Sequence, residues 1–458
     1  MLRVLFCLLL PVSVFGQDSK NIELLDRWSA DTLLVNSLGM RYNDCWGFVV
    51  NGNEYAAAGS TEGTHFFQIS SSNKLVPIDF VNGNFVDASV IHRDMKSYGN
   101  YLYSVCDEGL SSLQIIDVSF LPDSVSLVAE DQFNFTQVHN IFIDPTNALM
   151  YACLISPSSG GTLLPQLPMQ VYSLADPVNP SLIYTGPADI PEVHDSYVRN
   201  NIAYLNCGFE GLRIYDFSNP SAPVFLQNMS IYQEQGYNHQ GWLSPDGTKY
   251  VFGDETNGKK LKFCTVENNL LTIDSYFGSN FLENSVPHNI VLSNEFAYVA
   301  YYNEGLRIYD LRELPPKEVA HYETHPEDEG IFTMRGAWGI YPNLPSERIL
   351  VSDRKNGLFL FDFREELFVP TNSHDLIIFP NPMEQGSKIR FRVQDSDVEE
   401  FEFKLVDMSG KVVYSGSVSE QNYAEIDLIL AFGVYVLCVS FEDYLGDKVE
   451  LYEKIMVY

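Results

Sequence analysis

Nine histidines occur in the 458-residue chain, and five of them fall at one recurring place. They are His92 (in IHRD), His139 (VHNI), His194 (VHDS), His239 (NHQG) and His288 (PHNI). Trp46 (CWGF) and Trp338 (AWGI) hold the same place at the two ends of the series, and successive members stand 46, 47, 55, 45, 49 and 50 residues apart. Neutral imidazole ligates transition metals, and protonated imidazole attracts anions. Five rings brought to one point could therefore hold a metal or an anionic ligand. The alternative is structural: each ring hydrogen-bonds the turn beside it within its own repeat.

No other chemistry announces itself. There is no H-E-x-x-H, P-loop, G-x-S-x-G elbow or EF-hand loop. Glu62, Glu108, Glu210 and Glu304 are single carboxylates on separate repeats, and they read as solvated turn residues rather than calcium ligands. Cys45, Cys106, Cys153, Cys207, Cys264 and Cys438 form no C-x-x-C pair, so disulfide pairing and burial as small side chains both remain open.

The elements that must position the histidines are legible as a repeat. The heptapeptide EGLRIYD occurs at Glu210–Asp216 and again at Glu304–Asp310. Its glycines, Gly211 and Gly305, belong to a series with Gly63, Gly109, Gly161, Gly258 and Gly357. A period of this length marks solenoids or propellers. Within one period the segments HNIVL, FAYVAYY, LRIYD and EVAHY are short, aromatic and β-branched, and Asn, Gly and Pro punctuate them. Four short antiparallel strands per repeat make a propeller blade. The histidines then start each first strand, the one that lines the central channel. In the third repeat the segment LISPSSGGTLLPQLP lengthens the turn between second and third strands, either overhanging the channel mouth or as a tolerated surface insertion.

The pattern Leu-x-Ile-aromatic/aliphatic-Asp recurs at Leu113–Asp117, Leu212–Asp216, Leu306–Asp310 and Leu358–Asp362. Here the chain resembles the LVIVD-repeat family, within the choice-of-anchor B group of exported bacterial β-propellers. The last repeat lacks a fourth strand, and NIELLDRWS (Asn21–Ser29) resembles fourth strands elsewhere. The expectation is an all-β, seven-bladed β-propeller whose N-terminal strand closes the last blade.

Beyond Asp362 the repeat stops and about 80 residues of different strands follow. The residues Pro380-Asn381-Pro382, the hairpin ending at Gly410, the turn with Gly433 and Tyr435, and the terminal Lys454-Ile455 resemble the type A sorting domain of the type IX secretion system of Bacteroidetes. That resemblance implies a small β-sandwich, handling by the type IX machinery, and an extracellular or outer-membrane surface destination. Residues 1–16 read as a secretory signal peptide, 17–365 as the propeller, 366–375 as a linker and 376–458 as the sorting domain. No segment of the mature chain is apolar enough for a membrane helix. With 60 acidic against 28 basic residues the net charge is −32, which disfavours nucleic acid as a partner. The leading expectation is a binding module for an extracellular protein or glycan. The alternative is a metal-dependent hydrolase, lyase or oxidase with its site in the His-lined mouth; the cofactor is a transition metal or none.

Overall fold

The structure is a computed structural model. It describes residues 19–279, 285–326, 334–363, 376–379, 381, 383, 385–386, 388–393, 400–419, 423–426, 428, 430–442 and 448–457. The segments expected to be a signal peptide and a linker, together with Pro380 and Pro382, lie outside the described residues. The chain divides into two compact units, Met1–Glu365 and Glu366–Tyr458.

The first unit is built of six four-stranded sheets and one five-stranded sheet, each antiparallel, plus one small two-stranded ribbon. No α-helix occurs among the described residues. The fourth sheet shows the plan: Asp195–Arg199, Ile202–Asn206, Leu212–Asp216 and Val224–Met229 pair in chain order. Both EGLRIYD copies give a third strand, Leu212–Asp216 and Leu306–Asp310. The glycine before each strand takes a positive φ, 79° at Gly211 and 75° at Gly305. A Cβ there would also overlap the carbonyl oxygen of Met229 or Tyr322 on the fourth strand. Glycine is thus required twice over, by the turn and by the close approach.

The first strands of successive sheets lie against one another in chain order, and that of the last sheet, Ala337–Tyr341, lies against that of the first, Tyr42–Val50. The last sheet takes its fourth strand from the other end of the chain: Ile22–Trp28 pairs antiparallel with Gly357–Phe363. Ser19–Lys20 goes further and pairs with Lys317–Tyr322 of the preceding sheet. Apolar side chains between neighbouring sheets make the core, such as Tyr151, Val171, Val198 and Leu205 between the third and fourth.

Strand alternation fixes what shares a face. The start of each first strand, each turn from second to third strand, and each connection from a fourth strand to the next sheet all lie at one end of the sheets. The third-sheet insertion is at that end and folds into a ribbon, Ser158–Ser159 with Thr162–Leu163, tied to the preceding connection by the Ser158 N–H to Phe133 O bond of 2.8 Å.

In the second unit a three-stranded sheet (Leu376–Phe379, Ile389–Val393, Tyr423–Ile426) and a four-stranded sheet (Val412–Ser419, Glu400–Asp407, Gly433–Glu442, Lys448–Val457) share one core around Phe391, Phe403, Leu405 and Leu437. All six cysteines among the described residues are free thiols, five buried and Cys438 half-buried, which answers the question of their pairing.

Candidate functional site

The five histidines form a continuous belt. Ring centroids are 4.3 Å apart for His92–His139, 4.1 Å for His139–His194, 4.4 Å for His194–His239 and 4.3 Å for His239–His288. Trp338 closes the circuit, 3.8 Å from His288 and 5.6 Å from His92. All but His139 are buried. Each ring starts or just precedes a first strand, so the circuit follows from one side chain per sheet pointing to the same axis.

Trp46 does not join. Its indole Nε1 donates to Ser97 Oγ at 2.9 Å, Lys96 Nζ lies 4.7 Å from its ring centroid, and Tyr341 packs on it at 4.7 Å. The register of its strand shifts between Tyr42 and Cys45. Similar shifts occur in the strands of His239 and Trp338. What sets Trp46 apart is its place: it is the fifth residue of its strand, opposite Ala57, whereas Trp338 is the second of its own, so Trp46 lies deeper, at the polar cavity of about 30 Å³ lined by Asp44, Lys96, Asn140, Asp195 and Gln240.

Neighbours hold the belt in ways neither sequence reading foresaw. His139 Nδ1–H donates to Asp107 Oδ2 at 2.8 Å, on the preceding sheet. His288 Nδ1–H donates to the Trp338 carbonyl at 2.9 Å, on the following one. Only His194 bonds locally, to Asp195 Oδ1 at 2.8 Å. His92 Nδ1, His239 Nδ1 and Trp338 Nε1 are buried with no hydrogen-bond partner. The guanidinium of Arg354 lies 3.9 Å from the Trp338 ring centroid, and its NH1 donates to Met334 O at 3.0 Å.

The belt has one charge. Burial pushes His92, His194 and His288 well below the ordinary imidazole range, and the charges of neighbouring rings add to this. His239 is held down at about 4, first by burial and then by His194. For His139 burial again opposes the charged form, but Asp107 outweighs it and holds the ring up at about 9. At neutral pH one imidazolium therefore sits among neutral rings.

Two groupings could share a cation: His139 with His194 and Asp195, and His194 with His239 and Glu255, each set having one donor atom per residue within 4.8 Å of the others. Among the described residues no set of three imidazoles does so, and His92 and His288 belong to neither. Glu255 was invisible to the sequence reading. Asp107, Glu255 and Arg354 each immediately follow the second strand of their sheet. A second repeat position, read alongside the histidines, would have found them.

The turn carboxylates are a mixed group. Glu210 is exposed and Glu62 half-buried. Glu304, expected in solvent, is buried at 2% exposure, and burial pushes its carboxyl up despite Arg307 Nε at 3.7 Å. Glu108 accepts the His92 backbone N–H at 3.2 Å, and burial, then the Asp107 charge, push it up to about 7.

The model of the LVIVD repeat matches residues 193–230 and 287–312, which include His194 and His288, and that of the secretion system C-terminal sorting domain matches residues 377–450. The chain thus carries LVIVD repeats and a secretion-system C-terminal sorting domain. No curated protein matches it. Its structure is similar to the β-propeller domain of Myceliophteria thermophila Cps50 (Swd1), at 13% identity over 71% of this chain and 97% of that one, with a TM-score of 0.50. It also resembles the extracellular domain of the one-component-system candidate BT4673 from B. thetaiotaomicron (10%, 94% and 60%, TM-score 0.46). The computationally designed Ika8 protein is a third likeness (9%, 70% and 96%, TM-score 0.45). The first of these shows a β-propeller fold for this chain and nothing about activity. The sorting domain directs it through the type IX machinery to the cell surface or extracellular space.

The sorting residues within the described chain have clear structural work. Asn381 Nδ2 donates to Lys454 O at 2.6 Å and its Oδ1 accepts the Met456 N–H at 3.1 Å, so the opening motif is clamped to the final strand. Gly410, at φ 83°, closes the hairpin with its N–H on Asp407 O at 2.9 Å. Gly433 begins the central strand Gly433–Glu442, and the Tyr435 hydroxyl donates to Ala431 O at 3.0 Å.

Proposed function

We propose that this protein is a seven-bladed β-propeller, closed by its N-terminal strand, that binds an extracellular protein partner through the face bearing the histidine belt. The propeller is residues 17–365, left after removal of residues 1–16. A linker, 366–375, joins it to a sorting β-sandwich, 376–458. The cyclic contact of first strands and the pairing of Ile22–Trp28 with Gly357–Phe363 support the closed ring.

The observation that carries the binding role is the apolar character of the connections on the belt face. Ile231 is 91% exposed, Phe209 74% and Phe133 68%, and Leu110, Leu163 and Leu164 are exposed beside them. Exposed apolar groups that share a face offer a contact surface. They carry no hydroxyl or indole N–H, the handles a glycan would need, so a protein partner suits them better. The belt is too deeply buried to meet a macromolecule directly. Contact runs through the rim instead: the Phe209 ring is 5.2 Å from Tyr237, which is 5.3 Å from His194.

The test places a photoreactive residue at Phe209 and irradiates cells displaying the protein. A discrete cross-linked protein, lost when Phe133 and Ile231 become Asp, is the expected result. Cross-links to glycan alone, or none, would overturn the reading.

A further inference from the structure

We propose that His194, His239 and Glu255 form a binding site for one divalent first-row transition-metal ion, zinc in the simplest case. This goes beyond the protein-binding role and does not depend on it. Two neutral imidazoles and one carboxylate are a donor set that such ions accept. The three residues come from two adjacent sheets: His194 precedes Asp195–Arg199, His239 lies in Asn238–Leu243, and Glu255 follows Lys249–Asp254.

Three features distinguish this set from a chance cluster. The first is spacing. His239 Nε2 and Glu255 Oε2 are 3.9 Å apart, too far for a hydrogen bond, and all three donors lie within 4.8 Å of one another. Tetrahedral ligands at ~2.0–2.1 Å from zinc stand about 3.3 Å apart, so side-chain movements of about 1.5 Å or less close the site.

The second is orientation. His194 Nδ1–H is committed to Asp195 Oδ1 at 2.8 Å, which makes Nε2 the ring nitrogen that can ligate. Glu255 Oε1 accepts the buried Tyr302 hydroxyl, which leaves Oε2 for another partner. Carboxylates and hydroxyls of this kind orient ligands in metal sites. The third is placement. His239 is only 2% exposed, and its Nε2 faces Glu255 Oε2 at 3.9 Å, so a buried ring nitrogen and a carboxylate oxygen are held at a distance that an ion between them would fill.

The neighbouring set of His139, His194 and Asp195 is less suited. Two of its members, His194 and Asp195, already bond each other at 2.8 Å, so an ion taking both would have to break that bond. Three protein ligands leave coordination positions open in the proposed site, for water or an anionic group.

The experiment uses the tag-free mature protein, stripped with chelator and titrated with Zn²⁺ by calorimetry. One Zn²⁺ per chain is expected. Glu255→Gln should weaken binding more than ~100-fold, Asp195→Asn by ~10–100-fold as a residue acting through His194, and His139→Gln little. Loss in His139→Gln with retention in Glu255→Gln would overturn the assignment in favour of the neighbouring set, and no Zn²⁺ uptake by the wild type would overturn it outright. Pulsed EPR of the Cu²⁺-loaded wild type needs no variant to fold: two coupled imidazoles are expected, and any other number refutes the site. None of these outcomes bears on cross-linking at Phe209.

Discussion

Replacing Trp28 by Ala tests whether the N-terminal strand holds the ring shut. Trp28 is the last residue of Ile22–Trp28, opposite Leu358. Its ring lies 5.6 Å from Tyr42, 4.8 Å from His65 and 4.8 Å from Phe67, and it packs on the core that includes Leu358 and Leu360. Truncating a buried aromatic to Ala costs ~3–5 kcal/mol; Trp28 is half-buried, so about 3 kcal/mol is expected. Leu24, on the same strand, is 37% exposed, and Leu24→Ala should cost no more than ~0.5 kcal/mol. Guanidinium unfolding followed by tryptophan fluorescence is the assay. Trp28, Trp46, Trp242 and Trp338 all lie in the first unit, so the signal excludes the sorting domain, and three reporters survive the substitution. Equal stability of the two variants, within about 0.5 kcal/mol, would mean that the strand is not part of the cooperative core. Removing residues 19–28 altogether would uncover Gly357–Phe363, whose Phe359 and Phe361 are at most 1% exposed. The outcome expected there is aggregation through an unpaired sheet edge.

His65 lies between Trp28 and Phe80, with ring separations of 4.8 and 4.4 Å, and burial holds its pKa down from 6.5 to about 4. Its stabilisation is full above pH 6.5 and is lost as pH falls towards 4. Between pH 7 and pH 5 the wild type should lose about 2 kcal/mol relative to His65→Gln, and a difference that stays constant across that range would refute the assignment. In the sorting domain, Asn381→Ala removes both bonds to the last strand and should cost about 1–2 kcal/mol, read as faster proteolysis of the tail and lower export. Deleting residues 376–458 should leave a folded propeller in the periplasm, and normal appearance of that truncated chain in the medium would show that sorting lies elsewhere.

The sequence by itself determined the repeat, the strand character of each segment and the histidine periodicity. It could do so because one glycine turn and one Leu-x-Ile-x-Asp strand satisfy the same local demands in every copy, and local demands leave the same residues behind. It also identified the partner of the incomplete last sheet, since a three-stranded repeat with a matching orphan strand at the other end has an obvious completion. What the belt does with its neighbours was settled only in three dimensions. Trp46 keeps the repeat spacing and still leaves the belt, because its strand begins earlier and places it fifth from the strand start, where Trp338 is second. Trp338 keeps the spacing and closes the circuit. Glu304 opens the same heptapeptide as the exposed Glu210 but is itself buried, a difference that the identical local sequences do not reveal. Glu255, Tyr302 and Asp107 reach the histidines from the ends of second strands, far from them in sequence. Their approach depends on how sheets pack side by side, and that packing, rather than any local pattern, decides which ring is charged, which is neutral and which nitrogen is left without a partner.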